Sequence, residues 1–176
     1  MNKTSRILAL SAAFAALVLA GCGQSEKNAA APAPSSSASS ATTTAAKPAS
    51  GRAVEITAND SMKFSVTEIR AKPGEALAVT LKNIGTMPKF SMGHNWVLLT
   101  TGVDENAFAA DTAQAATTDY VPASYKDRII AASKLLGPKE SDTVVFNAPA
   151  KPGRYTFVCS FPGHFQVGMK GVLIVE

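Results

Sequence analysis

The chain has 176 residues, and its 17 lysine and arginine residues exceed its 13 aspartate and glutamate residues, which gives a formal net charge of +4 at pH 7. Most of the excess lies before residue 51, because residues 51–176 carry 13 basic and 12 acidic side chains. A nearly neutral segment without a basic stripe interleaved with aromatic residues excludes a nucleic-acid-binding function, and its length is that of a single domain.

The first 22 residues predict export and attachment to a membrane. A short basic segment at residues 2–6 precedes an apolar, alanine-rich stretch at residues 7–20. This stretch is too short for a membrane span and is typical of a secretory signal peptide, which we place at residues 1–21. Its end, Leu19-Ala20-Gly21-Cys22, resembles the lipobox of bacterial lipoproteins, which implies cleavage before Cys22 and acylation of that residue. A plain signal peptide with an incidental cysteine is the alternative.

A lipidated Cys22 implies a location for the protein. Two or more acyl chains hold a protein stably on a membrane. The residue after Cys22 is Gly23 and not aspartate, so by resemblance to Gram-negative lipoproteins we expect a lipid anchor in the bacterial outer membrane, facing the periplasm or the cell surface. Residues 22–50 are then the lipidated cysteine and a disordered tether of Ala, Pro, Ser and Thr, which lacks large apolar side chains. A flexible coil of this length spans about 30 Å.

Residues 51–176 alternate apolar and polar side chains in many short segments, which predicts an all-β domain. Lys72-Pro73-Gly74 and Lys151-Pro152-Gly153 are turn signals just before two predicted strands. Many short strands separated by turns are typical of a sandwich or barrel. Between residues 99 and 128 the pattern changes, which predicts an insertion with a short helix within 104–114 and a loop at 119–126. The predicted strands are residues 54–56, 64–66, 77–81, 96–98, 129–130, 143–146, 155–159 and 171–175.

Four side chains form a candidate metal site, and they are His94, Cys159, His164 and Met169. The chain has only two histidines and two cysteines, so the site takes both histidines and the one cysteine outside the lipobox. A predicted strand ends at Cys159, and the turn at Pro162-Gly163 can return His164 to the same point. One thiolate, two imidazoles and one thioether suit a blue-copper electron-transfer site, whereas a thioether is not a normal zinc ligand. Singly, a buried cysteine or methionine is usually core, but the combination favours a metal site.

Two runs resemble the azurins, which are small bacterial cupredoxins: Met92-Gly93-His94-Asn95-Trp96-Val97-Leu98, and Cys159-Ser160-Phe161-Pro162-Gly163-His164 followed by Met169-Lys170-Gly171. The lipobox and tether are similar to those of lipid-modified azurins. The resemblance implies a cupredoxin domain at residues 51–176, folded as an eight-stranded Greek-key β-sandwich with a short helix-containing flap. It also implies one copper ion, Cu(I)/Cu(II), in a plane of His94, Cys159 and His164. Met169 is then axial, the Gly93 carbonyl lies weakly on the opposite side, and Asn95 joins the two ligand loops by hydrogen bonds.

The sequence departs from the azurin pattern in three places. Four residues separate His164 from Met169, where azurins have three. The structural disulfide of azurins is missing, because Cys22 and Cys159 both have other expected roles. Asn83 stands where azurins have a further histidine near the site, so we do not expect a pH switch based on that residue.

The ligand set leaves two classes of function open. The first is a one-electron carrier, since copper with these ligands changes oxidation state with little rearrangement. The second is a copper storage or delivery protein, although such proteins more often use Met-rich or paired-cysteine sites. A catalytic copper enzyme would need further histidines. The expected partners of a carrier are redox proteins such as c-type cytochromes or reductases, and we expect a monomer.

An apolar docking patch is the last prediction from the sequence. By resemblance, electrons leave through His164. An exposed apolar patch on a soluble domain usually marks an interaction surface. The residues expected in this patch are Met62, Met87, Met92, Phe161, Pro162 and Phe165.

Overall fold

Within residues 50–176, the part of the chain that this computed structural model describes, eight strands form two sheets. The strands are β1 (Arg52–Ala58), β2 (Glu68–Ala71), β3 (Ala76–Asn83), β4 (Val97–Leu99), β5 (Ile129–Ala132), β6 (Ser141–Asn147), β7 (Gly153–Val158) and β8 (Lys170–Val175). One sheet has the order β1-β3-β6 and the other β2-β8-β7-β4-β5. The predicted all-β, eight-stranded β-sandwich is confirmed. The predicted signal peptide, Cys22 and all of the tether before Ser50 lie outside the described residues.

The chain crosses between the two sheets at its start. It leaves the first sheet after β1, forms β2 at the edge of the second sheet, and returns as β3. As a result, β1 runs parallel to β3 and β2 runs parallel to β8, while the other pairs are antiparallel. This crossing buries the apolar faces of both sheets against each other, as in other sandwiches.

The core between the sheets is built around Trp96, which is fully buried just before β4. Its ring lies 5.8 Å from that of Phe146 on β6 and 5.4 Å from that of Phe157 on β7. Trp96 therefore contacts both sheets at once. Such aromatic pairs contribute about 0.5–1.5 kcal/mol each beyond their buried area. The packing fixes the distance between the sheets directly beside His94.

One predicted strand is wrong. In residues 64–66 only Phe64 pairs, through an isolated bridge with Ala58. The strand lies instead at Glu68–Ala71, where Ile69 and Ala71 are buried and the two charged residues that alternate with them are exposed. Its pairing partner is β8, at the far end of the sequence. A four-residue segment with two charges has a weak apolar signal, and a distant parallel partner leaves no local trace.

The insertion between β4 and β5 is a flap that shares a second, small core with β4 and β7. Helix α1 (Lys89–Met92) lies before β4, and the flap contains helix α2 (Glu105–Asp111). The N-cap residue of α2 is Asp104, whose carboxylate accepts hydrogen bonds from the N–H groups of Asn106 and Ala107. The helix buries Phe108, whose ring meets that of Tyr125 edge-on at 5.0 Å. The predicted helix is therefore present, while the predicted loop at 119–126 ends in a 3₁₀ helix at Ala123–Arg128. Among the described residues, none of the helices is both long and apolar enough to span a membrane.

Candidate copper centre

Three of the predicted ligands converge at one end of the sandwich. One donor atom from each of His94, Cys159 and His164 lies within 4.8 Å of the other two. The Sγ atom of Cys159 is 3.4 Å from Nδ1 of His164, and the two imidazole centroids are 4.9 Å apart. Cys159 and His94 are fully buried, and His164 is only 3% exposed. The three donor atoms therefore lie close together in the protein interior, where solvent has almost no access.

The loop after β7 holds its predicted ligands together through its own backbone. The N–H of Cys159 donates to the carbonyl of Met169 at 3.1 Å, and the N–H of Met169 donates to the carbonyl of His164 at 2.9 Å. Met169 is fully buried beside them. These two hydrogen bonds fix the spacing of all three residues without a metal, which lowers the cost of ordering them when an ion binds.

A second segment carries His94 to the same point. The N–H of His94 donates to the carbonyl of Leu136 at 3.1 Å, and the Leu136 N–H donates back at 2.8 Å. The preceding residue must be small, since a Cβ on Gly93 would lie 2.6 Å from the carbonyl oxygen of Lys89 and 2.9 Å from Cγ of Leu135. The backbone at Gly93 is thus closely surrounded. The contact expected between its carbonyl and copper stays a prediction.

Asn95 links the two segments. Its Oδ1 atom accepts a hydrogen bond from the N–H of Ser160 at 2.8 Å. Its Nδ2 atom donates to the Ser160 hydroxyl at 2.7 Å and to the carbonyl of Asp119, in the flap, at 2.8 Å. Asn95 is fully buried; its two bonds to Ser160 are buried, and its bond to Asp119 is partly buried. The segment of His94 is therefore tied both to the loop of Cys159 and to the flap.

Burial sets the protonation of the ligands. It lowers the pKa of His164 to about 4, with the charge of the neighbouring His94 as a further cause. Burial also lowers the pKa of His94. Both imidazoles are therefore neutral at pH 7, which is the form that binds a metal. Burial raises the pKa of the Cys159 thiol to about 12, although the backbone N–H groups of Asn95 and Phe161 oppose this rise. A bound cation would displace the thiol proton.

The donor set fits copper. Both ring nitrogens of His94 are buried without a hydrogen-bond partner in the described residues. A neutral imidazole nitrogen without a hydrogen-bond partner is available to bind a metal ion. The Cys159 sulfur and the His164 nitrogen lie close enough to share that ion. Thiolate and imidazole bind copper well, and a thioether such as that of Met169 is a weak donor typical of blue-copper sites.

Comparison with known proteins agrees with this chemistry. The family model described as "Copper binding proteins, plastocyanin/azurin family" matches residues 51–176. The chain belongs to this family. Azurin from Achromobacter denitrificans is 42% identical to it over 122 residues, which are 67% of this chain and 80% of that protein. Outer membrane protein H.8 from Neisseria gonorrhoeae is 38% identical over 127 residues, which are 70% of this chain and 68% of that protein.

Comparison with solved structures supports the fold. A crystal structure of dithionite-reduced auracyanin from Roseiflexus castenholzii matches with a TM-score of 0.63 and 36% identity. The match covers 70% of this chain and 96% of that one. The resemblance to azurins that the sequence predicted is therefore confirmed, and copper is the cofactor of this family.

The ligand loop between His164 and Met169 is exposed on its outer side. Residues 166–168 are exposed, while Met169 stays buried. Gly168 has a φ of +88°, a conformation that strongly favours glycine. The ammonium group of Lys63, from the loop after β1, donates a hydrogen bond to the carbonyl of Val167. The outer part of the ligand loop is therefore a tight turn that Lys63 contacts from outside.

Asn83 has a structural role beside the segment that carries His94. It is 2% exposed, and its Nδ2 donates to the carbonyl of Leu136 at 3.1 Å. Its Oδ1 accepts from the N–H of Gly85 at 2.9 Å. Because Leu136 also bridges to His94, Asn83 ties the end of β3 to that ligand's segment. A side-chain amide has no proton to gain or lose near neutral pH.

The apolar surface at this end differs from the predicted one in two residues. Phe165 is only 9% exposed and packs into the small core of the flap, so it does not belong to the patch. Phe90, in helix α1, is 81% exposed and was not predicted. A short helix with one outward phenylalanine has no periodic pattern that would reveal it. We call the corrected set the apolar end surface: Met62, Met87, Phe90, Met92, Phe161 and Pro162.

Proposed function

We propose that this protein carries single electrons between redox partners by means of one type 1 copper ion. The observation that carries the proposal is the closed ligand set, in which His94, Cys159, His164 and Met169 are all at most 3% exposed. Copper bound there would change between Cu(I) and Cu(II). The residues around it hold the ligands in place and exclude water.

The same geometry favours a carrier over the two other classes considered. A substrate of an enzyme would have to reach the ion through fully packed side chains. A delivery protein must release its metal quickly, whereas here the ligand backbones are joined by hydrogen bonds between Cys159, Met169 and His164. Rigid ligands favour electron transfer because they move little when the charge of the ion changes.

The apolar end surface is the proposed docking site for redox partners. The ring of Phe161 lies 4.7 Å from that of His164, so this surface begins directly above a ligand. Asp60 accepts hydrogen bonds from the backbone N–H groups of Thr86 and Met87, which ties the loop of Met62 to the loop of Met87. Exposed aromatic and methionine side chains are enriched at protein interfaces. We propose c-type cytochromes or reductases as partners, met by a monomer.

The direction of the chain supports an anchor that leaves this surface free. The first strand starts at Arg52, whose side chain reaches the carbonyl of Arg70 at the Gly153–Val175 end of the other sheet. The copper site lies past the opposite ends of β1 and β7. Seven residues of strand separate these ends by about 20 Å. A tether ending at residue 50 therefore joins the domain far from the docking surface.

The proposed location is the bacterial outer membrane, through lipid on Cys22, facing the periplasm or the cell surface. Two observations support it, namely the lipobox sequence and the similarity to a relative named outer membrane protein H.8. Mass spectrometry of the mature protein tests the lipid directly. A mature chain that starts after a different residue, or an unmodified Cys22, would contradict this part of the proposal.

The electron-carrier function is tested with the full-length protein loaded with Cu(II). We expect an intense blue colour that bleaches on reduction and returns on oxidation, and rapid oxidation of a reduced c-type cytochrome followed by stopped flow. A protein that stays colourless and passes its copper quickly to a chelator would instead be a delivery protein, and the proposal would be wrong.

A further inference from the structure

Two consecutive flap residues have a backbone conformation that is unfavourable for their side chains. Asp119 has φ and ψ of 54° and 34°, and Tyr120 has a φ of 60°. A residue other than glycine in this left-handed region costs about 1–3 kcal/mol and persists only where its surroundings hold it there. Aspartate tolerates the region better than most residues, but tyrosine does not. The contacts of both residues show what holds them.

Asp119 contacts both sides of the segment that carries His94. Its carbonyl accepts the hydrogen bond from Nδ2 of Asn95 at 2.8 Å. Its carboxylate oxygen Oδ2 accepts one from the N–H of Leu135 at 3.2 Å. The Leu135 side chain lies against Gly93, as the close approach of its Cγ shows. One residue of the flap thus holds the neighbours of His94 from two directions.

Tyr120 reaches the other ligand loop. Its ring meets that of Phe161 edge-on, with centroids 5.0 Å apart. The Phe161 ring in turn lies 4.7 Å from the imidazole of His164. The backbone N–H of Tyr120 donates to the carbonyl of Ala115 at 2.8 Å, which fixes the residue to the flap.

We propose that Asp119 and Tyr120 are positioning residues that hold the two histidine ligands in fixed positions relative to each other. Asp119 fixes the position of the segment that carries His94, and Tyr120 fixes the position of His164 through the ring of Phe161. The strain in their backbone is the cost of joining both loops to one rigid point of the flap. This inference rests on the electron-carrier function proposed above, because a carrier needs ligands that do not move when copper changes its charge.

The test uses variants of the full-length protein that remove one contact each. Asp119→Ala removes the carboxylate, and Tyr120→Leu removes the ring edge. Asp119→Asn and Tyr120→Phe are the conservative partners, since each keeps a side-chain acceptor or an aromatic ring. Tyr125→Phe is the control, because it deletes a flap hydrogen bond to Asp111 that touches neither ligand loop.

We expect Asp119→Ala and Tyr120→Leu to shift the reduction potential and the copper hyperfine splitting, and the two conservative variants to restore both. In the copper-free protein, amide hydrogen exchange at Leu135 should become about tenfold faster in Asp119→Ala, as expected for the loss of one partly buried hydrogen bond. Should Asp119→Ala fail to fold, Asp119→Gly removes the same carboxylate without backbone strain, and the same acceleration of Leu135 exchange is expected in it.

Unchanged potential, hyperfine splitting and Leu135 exchange in these variants would overturn the proposal. Equal shifts in Tyr125→Phe would also overturn it, because they would show a general effect of flap stability. The exchange measurement needs no copper, so it separates the two proposals. The wild-type protein could prove not to be a blue electron carrier while Leu135 exchange still responds to Asp119→Ala and not to the control. That result would refute the electron-carrier function and support the positioning role of Asp119.

Discussion

Replacement of Asn95 by alanine should destabilise the domain strongly. The side chain makes three hydrogen bonds of 2.7–2.8 Å, two buried ones to Ser160 and a partly buried one to Asp119. Each contributes about 1 kcal/mol net, so the loss is about 3 kcal/mol. For a domain of this size that corresponds to a fall of about 12 °C in Tm.

The assay is denaturant unfolding of the copper-free protein, followed by fluorescence of Trp96. This is the only tryptophan of the chain, and it is fully buried, so its emission reports the packed core. Asn147→Ala is the matched control, because Asn147 is exposed at the end of β6 and should change stability by less than about 0.5 kcal/mol. A loss in Asn95→Ala below about 1 kcal/mol, or one equal to the control, would refute the reasoning from buried hydrogen bonds.

Three further predictions concern the metal, the surface and acid stability. Cys159→Ser should fold but lose the blue absorption, whereas Met169→Leu should stay blue and have a higher potential, because a weak donor to Cu(II) is lost; absorption spectra and voltammetry decide both. Met92→Lys should slow electron self-exchange without changing the blue spectrum, since it places like charges in both molecules of the pair, and an unchanged rate would place the docking face elsewhere. Hydrogen bonds from Thr86 hold the pKa of Asp60 below its usual value. The ionised Asp60 carboxylate therefore stabilises the fold fully above about pH 4, the ordinary pKa of aspartate, and this stabilisation is lost as the pH falls through the lowered pKa. The stability difference between wild type and Asp60→Asn, measured by denaturant unfolding, should therefore be larger at pH 7 than at pH 2, and a difference independent of pH would contradict this.

Much of the copper site could be predicted because its chemistry is carried by rare residues. Because the chain has only two histidines and two cysteines, few ligand sets other than His94, Cys159 and His164 could be formed from its residues. The sandwich was predictable for a similar reason, since period-two patterns are local. The edge strand β2 was not, because its pairing with β8 joins residues about a hundred positions apart and tertiary contacts outweigh a weak local pattern.

The supports of the site were hidden from the sequence for another physical reason. The left-handed backbone of Asp119 and Tyr120 results from contacts with Asn95, Leu135 and Phe161, and nothing in the flap sequence itself requires it. Phe90 is exposed because helix α1 is too short to bury a face. In each case the conformation is decided by the folded surroundings. Sequence patterns report the local conformational preference of a segment, and here tertiary contacts outweigh that preference.

The ligand loop between β7 and β8 has a fixed inner side and an exposed outer side. The hydrogen bonds that join Met169 to His164 and to Cys159 close the inner side. The outer side turns at Gly168, where φ is positive, and the ammonium group of Lys63 donates a hydrogen bond to the carbonyl of Val167. Because residues 166–168 are exposed while Met169 is buried, the inner hydrogen bonds set the position of Met169, and the side chains of the outer residues do not take part in them.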